Sequence, residues 1–223
     1  MPRLAHGSLA CALLLHLAGS AKHRGDGEQI ILGIDSGYRS LGYALAAADP
    51  QTRKITKVFK LGLSETVPTG EKEVRKTSDA LERARVHAAM IKALLAETPI
   101  DFVAAEMAAT TPHFYPTFAF GVGIGLLAWI DQPIVQVLPY EAKLVAVGDK
   151  RATKAQIIAW ALALPASGDL AWPISTRPNA MGLTYNGRVV AISAEHPADA
   201  LAVIQAALAN EQFRLSRALA SRT

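Results

Sequence analysis

The sequence predicts an α/β fold built on one mixed β-sheet, and three observations carry that prediction. Ile30 to Ala48 is two apolar runs joined by a short glycine-containing turn, and residues 54–63 alternate apolar and polar, so three antiparallel strands come first. From residue 78 onward, helical and strand patterns take turns, an order that places helices on the faces of a sheet. The chain has 223 residues, 51% of them hydrophobic, which suits one domain of ordinary size with a substantial core.

The elements follow in order. Residues 1–29 read as a leader or extension: Arg3, a short apolar stretch from Leu9 to Ala18 and the small residues Gly19 to Ala21 are signal-like over 4–21, but the stretch is too short to span a membrane. Of three readings, a true signal, a disordered extension and an upstream start codon, the second or third is favoured, and a cytoplasmic location is expected. One single domain is expected over 30–220. The strands at 30–48 and 54–63 lead into a charged loop at 64–76. Thr77 or Ser78 is expected to cap a helix reaching Glu97, with Leu81, Ala84, Ala88, Ile91, Leu94 and Leu95 on its buried stripe. Ile100 to Glu106 is a short buried strand. Phe118 to Ile130 is apolar all round and predicts a buried helix, its Gly121, Gly123 and Gly125 serving close packing rather than phosphate binding. Ile134 to Leu138 is a strand, Glu141 to Val147 a helical turn, Ala152 to Leu164 a helix, Pro165 to Gly187 an irregular segment, Arg188 to Ile192 a short strand, and Pro197 to about Ala220 the last helix.

The chemistry lies in scattered acids. Asp35 ends an apolar strand, where its charge is expensive unless compensated; a metal ion compensates it, and so does capping a turn. Glu106 ends a second apolar strand. His196 and Asp199, three residues apart at the start of the last helix, share a face. Strand ends and a helix start can converge at one sheet edge. Oxygen donors with one imidazole suit Mg²⁺ or Mn²⁺, and two such ions can activate water and stabilise a leaving oxygen in phosphodiester hydrolysis. A net charge of +4 permits a nucleic-acid partner without requiring one, and the basic groups Arg75–Lys76 and Lys143, Lys150, Arg151, Lys154 would meet phosphates without reading sequence. The one cysteine, Cys11, excludes an internal disulfide and a cysteine zinc site. His87 and His113 look ordinary.

Ile30-Ile-Leu-Gly-Ile-Asp-Ser-Gly-Tyr-Arg-Ser-Leu-Gly-Tyr, Asp101-Phe-Val-Ala-Ala-Glu106, Pro139-Tyr-Glu-Ala-Lys143-Leu-Val-Ala-Val-Gly148 running on to Lys154, and His196-Pro-Ala-Asp199-Ala-Leu-Ala together resemble the RuvC-type Holliday-junction resolvases of the ribonuclease H-like superfamily. The resemblance covers roughly residues 30–210. It implies a ribonuclease H-like mixed sheet flanked by helices, and a homodimeric crossover junction endodeoxyribonuclease acting in DNA recombination and repair. It further implies Asp35, Glu106, His196 and Asp199 around two Mg²⁺ or Mn²⁺ ions, Lys143 and Lys154 beside the scissile phosphate, and a branch-migration helicase as a possible partner. Dimerisation is expected through the helix at 78–97.

Three features depart from that pattern. Ala109 stands where the family often has an aromatic junction wedge, leaving Phe114 or Tyr115 as substitutes. Residues 165–194 are a longer insertion before the last helix, whose Trp172 or Tyr185 could stack on bases or simply pack. The leader is foreign to the family. The rivals are a ribonuclease H-like nuclease on other branched or RNA substrates, a catalytically silent nucleic-acid-binding relative, and a nucleotide-binding protein of the sugar-kinase and actin type.

Overall fold

A computed structural model describes residues 25–107 and 114–211, the side chains of 114–116 excepted. The signal-like stretch, Ala109 and His113 lie outside the described residues. Phe114 and Tyr115 open a helix whose first side chains also lie outside them.

Five strands form the main sheet: β1 (Gln29–Asp35), β2 (Ser40–Asp49), β3 (Lys54–Glu65), β4 (Phe102–Glu106) and β5 (Ile134–Val137). Their spatial order is β3-β2-β1-β4-β5, antiparallel through β3-β2-β1 and parallel through β1-β4-β5. The helices are α1 (Lys76–Glu97), α2 (Phe114–Leu127), α3 (Pro139–Val147), α4 (Lys154–Leu162) and α5 (Glu195–Ala209). This is the expected α/β mixed sheet. Among the described residues no helix is long and apolar enough to cross a membrane.

Strand alternation divides the core in two. Ile31, Phe102 and Ala104 face one side, where α3, α4 and α5 pack; Ile30, Leu32, Ile34, Val103 and Ala105 face the other, under α1 and α2. Asp35 and Glu106 continue the first set by two-residue steps, so they emerge on the α5 side. That helix lies unusually close to the sheet. A Cβ on Gly33 would come 2.2 Å from the Ala200 carbonyl oxygen, and one on Gly42 2.2 Å from that of His196. Hydrogen at these two positions is what lets α5 settle against β1 and β2.

Several local expectations are corrected. Helix α1 starts at Lys76 after Arg75, whose carbonyl accepts from the Ser78 and Asp79 amides; neither Thr77 nor Ser78 caps it. Its buried residues are Ala80, Arg83, His87, Ile91 and Leu94, while Leu81 is 53% exposed. The apolar stripe thus lies partly in solvent, because two polar residues take its place under the helix. Helix α2 is not a buried helix: Phe118, Ile124 and nearby Trp129 are exposed, and Gly121 and Gly125 face open space. Of its glycines only Gly123 would bring an added Cβ within 4 Å of a neighbour, the Ser36 hydroxyl at 3.4 Å. Together α1 and α2 frame a largely apolar groove of about 400 Å³ lined by Leu81, Ala84, Phe118, Val122 and Trp129, among others.

The 165–194 insertion is held by ordinary packing. The Val58 amide donates to the Pro165 carbonyl and Ser167 donates back to Val58, covering part of the edge strand β3. A two-residue hairpin, β6 (Thr184–Tyr185) and β7 (Arg188–Val189), turns at Asn186–Gly187, both with positive φ. The expected strand at 188–192 is therefore only this short arm. Trp172 is 5% exposed, its ring 6.4 Å from that of Tyr185, whose hydroxyl accepts from the Leu170 amide. Trp172 is not available to stack on bases. Helix α5 ends at Ala209; the expected continuation from 212 lies outside the described residues.

Candidate active site

The site is built from two strand ends and a helix start. Parallel pairing puts Asp35 of β1 in register with Glu106 of β4, so both carboxylates leave the same sheet edge on the same face. Ser36 ties the edges together, its hydroxyl donating to the Glu106 carbonyl at 2.8 Å. Across the hairpin Asp35 is paired with Gly42, the residue that admits the His196 backbone. The first turn of α5 therefore arrives directly over the strand tips, and His196 Nδ1 meets Asp35 Oδ2 at 2.7 Å.

Asp35, Lys143, Lys154, Glu195, His196 and Asp199 line one cavity of about 240 Å³. Five of the six expected site residues are among them. Glu106, the sixth, is the register neighbour of Asp35 and lies close enough to Asp35, Asp199 and Lys143 for their charges to act on it. Glu195 is read from the sequence as part of the acidic helix start, a partner for the helix dipole, and not as a site residue. Its carboxylate holds Lys154 Nζ at 2.5 Å and lies 3.8 Å from His196 Nε2. The signal was present: residues 195 and 199 are four apart and share a helix face. Lys150 and Arg151 are exposed in the turn before α4.

Electrostatically the site is overloaded with negative charge. Burial, then the charges of Asp35 and Asp199, push the Glu106 carboxyl up to about 8. Burial, then Asp35 and Glu195, push Asp199 up to about 7. The His196 imidazole is raised by its hydrogen bond to Asp35, and the Lys154 ammonium by its bond to Glu195. A cluster of oxygen donors that resist ionising is chemistry suited to a hard divalent cation. The spacing is looser. Among the described residues no three His, Cys, Asp or Glu groups stand close enough to enclose an ion. Asp35 is instead engaged by His196, and Glu195 by Lys154.

These shifts have a measurable consequence. For an acid raised in the folded state, the penalty is absent below its ordinary value and complete above its folded value. Glu106 and Asp199 therefore cost stability as pH rises towards about 8. His196 acts with the same sign, since its gain disappears above its raised value. His87 has the opposite sign, but burial lowers its pKa from 6.5, so its effect lies below that pH. Between pH 6.5 and 8.5, thermal unfolding of the chelator-treated protein should show a loss on the order of 2 kcal/mol. A flat profile would show that the carboxylates are not mutually strained.

The fold and this edge define a class: a ribonuclease H-like α/β domain with acidic residues at the tips of its central parallel strands. Comparison with solved structures agrees. Thermus thermophilus RuvC in complex with Holliday junction substrate is similar at TM-score 0.55 and 19% identity, over 80% of this chain and 92% of that one. Another Thermus thermophilus RuvC structure gives TM-score 0.51 and 19% identity, over 79% and 92%. The chain thus has the RuvC fold. No protein-family model and no curated protein sequence matches it.

Proposed function

We propose that this protein is a metal-dependent, structure-selective endonuclease that cleaves four-way or related branched DNA junctions by phosphodiester hydrolysis. The observation that carries this reading is the meeting of Asp35 and Glu106, adjacent in register, with His196 and Asp199 from a distant helix beside Lys143 and Lys154. The similar structure solved with a Holliday junction supports the choice of substrate.

Asp35, Glu106, His196 and Asp199 would hold two Mg²⁺ or Mn²⁺ ions, which would supply an activated water and charge stabilisation for the leaving oxygen. The chain's own part is to place these donors side by side, where their mutual repulsion favours a bound cation over a proton. Lys143 and Lys154 act as point charges for a phosphate oxygen. Glu195 holds Lys154, whose ammonium has further N–H donors for a phosphate oxygen. The His196–Asp35 bond uses Nδ1 and Oδ2, which leaves His196 Nε2 and the second Asp35 oxygen as donors for an ion. The apolar groove between α1 and α2 is the surface on which a second copy would dock, giving two sites for two strands.

Incubating the protein with a synthetic four-way junction and with linear duplex, with and without Mn²⁺, tests the reading. Cleavage confined to the junction and dependent on Mn²⁺ is expected. Equal cutting of the duplex, or no cutting of either, would overturn it.

A further inference from the structure

Among the described residues four polar or charged side chains are buried: Thr66, Arg83, His87 and Thr98. Three of them converge on one short turn, residues 36–39, which follows Asp35 directly. The Tyr38 carbonyl faces His87 Nε2 at 3.1 Å, and the Arg39 carbonyl accepts from the Thr66 amide at 2.9 Å. Arg83 Nε donates to the Thr66 hydroxyl at 3.0 Å, and its guanidinium lies over the Tyr38 ring, 4.0 Å from the centroid. On the far side of the imidazole, Nδ1 lies 2.8 Å from the Ser64 hydroxyl. A carbonyl can only accept, so Nε2 carries the proton and Nδ1 accepts from Ser64. Both polar ends of a fully buried ring are thereby used.

Such a network is costly. An apolar stripe on α1 would pack over β3 without desolvating a guanidinium and an imidazole. What the polar version adds is a fixed backbone for the turn. Within the turn itself the amide of Gly37 donates only to the Asp35 carbonyl, at 3.0 Å. We propose that Arg83 and His87 are positioning residues: through Tyr38 and Thr66 they lock the 36–39 turn and so fix the direction in which Asp35 presents its carboxylate. The catalytic consequence rests on the nuclease reading above; the hold on the turn does not.

The test compares His87→Phe, His87→Gln and Thr66→Val with the wild type. Phenylalanine fills the space without a donor, and glutamine can return an N–H to the Tyr38 carbonyl. His87→Phe should lower junction kcat at saturating Mn²⁺ by about 10–100-fold, as loss of partners that orient metal ligands commonly does. Junction affinity should stay unchanged, the Mn²⁺ requirement should rise, and the Gly37 amide should exchange faster with solvent. His87→Gln should recover most of each. Thr66→Val gives the same readouts should His87→Phe fail to fold. Variants that keep wild-type kcat per folded molecule and wild-type Gly37 exchange would overturn the proposal. A wild type inert on junctions would sink the nuclease reading alone; Gly37 exchange in His87→Phe would still decide the hold on the turn, faster exchange upholding it and unchanged exchange refuting it.

Discussion

Asp35→Asn should abolish junction cleavage while leaving junction binding and folding intact. The carboxylate is the common partner in the site. It receives His196 Nδ1, stands beside Glu106 in register, and its charge contributes to the raised carboxyls of both Glu106 and Asp199. Asparagine keeps the shape and an oxygen for His196 but loses the charge a divalent ion needs. The rate should fall on the order of 10³-fold or more, equivalent to about 4 kcal/mol of transition-state stabilisation. Stability should move the other way. Removing one charge from an overloaded acidic cluster relieves the other two, so the metal-free variant should unfold at the same temperature as the wild type or higher, most visibly near pH 8. The paired readout separates catalysis from structure: a slow and unstable variant would mean that Asp35 holds the fold together, and a cleaving variant would remove it from the chemistry.

Much of this site was legible because each residue interrupts a pattern. A carboxylate closing an apolar strand contradicts its surroundings, as Asp35 and Glu106 do. The helix start at 195–199 was legible as an acidic cluster with a histidine. What the sequence does not reveal is competition for partners. Glu195 reads as a charge favouring a helix N-terminus, yet it holds Lys154. His87 reads as an ordinary helical histidine because periodicity places apolar residues on the buried face, and nothing local says that Ser64 and Tyr38 will meet it there. The exposed side of α2 was hidden for a related reason. An all-round apolar helix implies burial, but exposure here depends on whether anything covers the α1–α2 groove. Trp172 was open to two readings, and packing against Tyr185 settled it.

Gly42→Ala should cost both stability and cleavage, although the residue carries no functional group. An added Cβ would lie 2.2 Å from the His196 carbonyl oxygen and 2.8 Å from its Cβ, against backbone that cannot rotate away. The start of α5 must then lift from β2, and His196 and Asp199 move with it, away from Asp35. Overpacking of this kind costs about 1–3 kcal/mol. Displacing reacting groups by about 1 Å can cost on the order of 10²-fold in rate. Gly33→Ala is the control, since its Cβ would press on the Ala200 carbonyl further along the same helix. It should lose comparable stability but a smaller share of the rate, measured under conditions where both variants remain folded. Equal rates in Gly42→Ala and the wild type would mean that the first turn of α5 does not set the site, and that His196 meets Asp35 without consequence for the reaction.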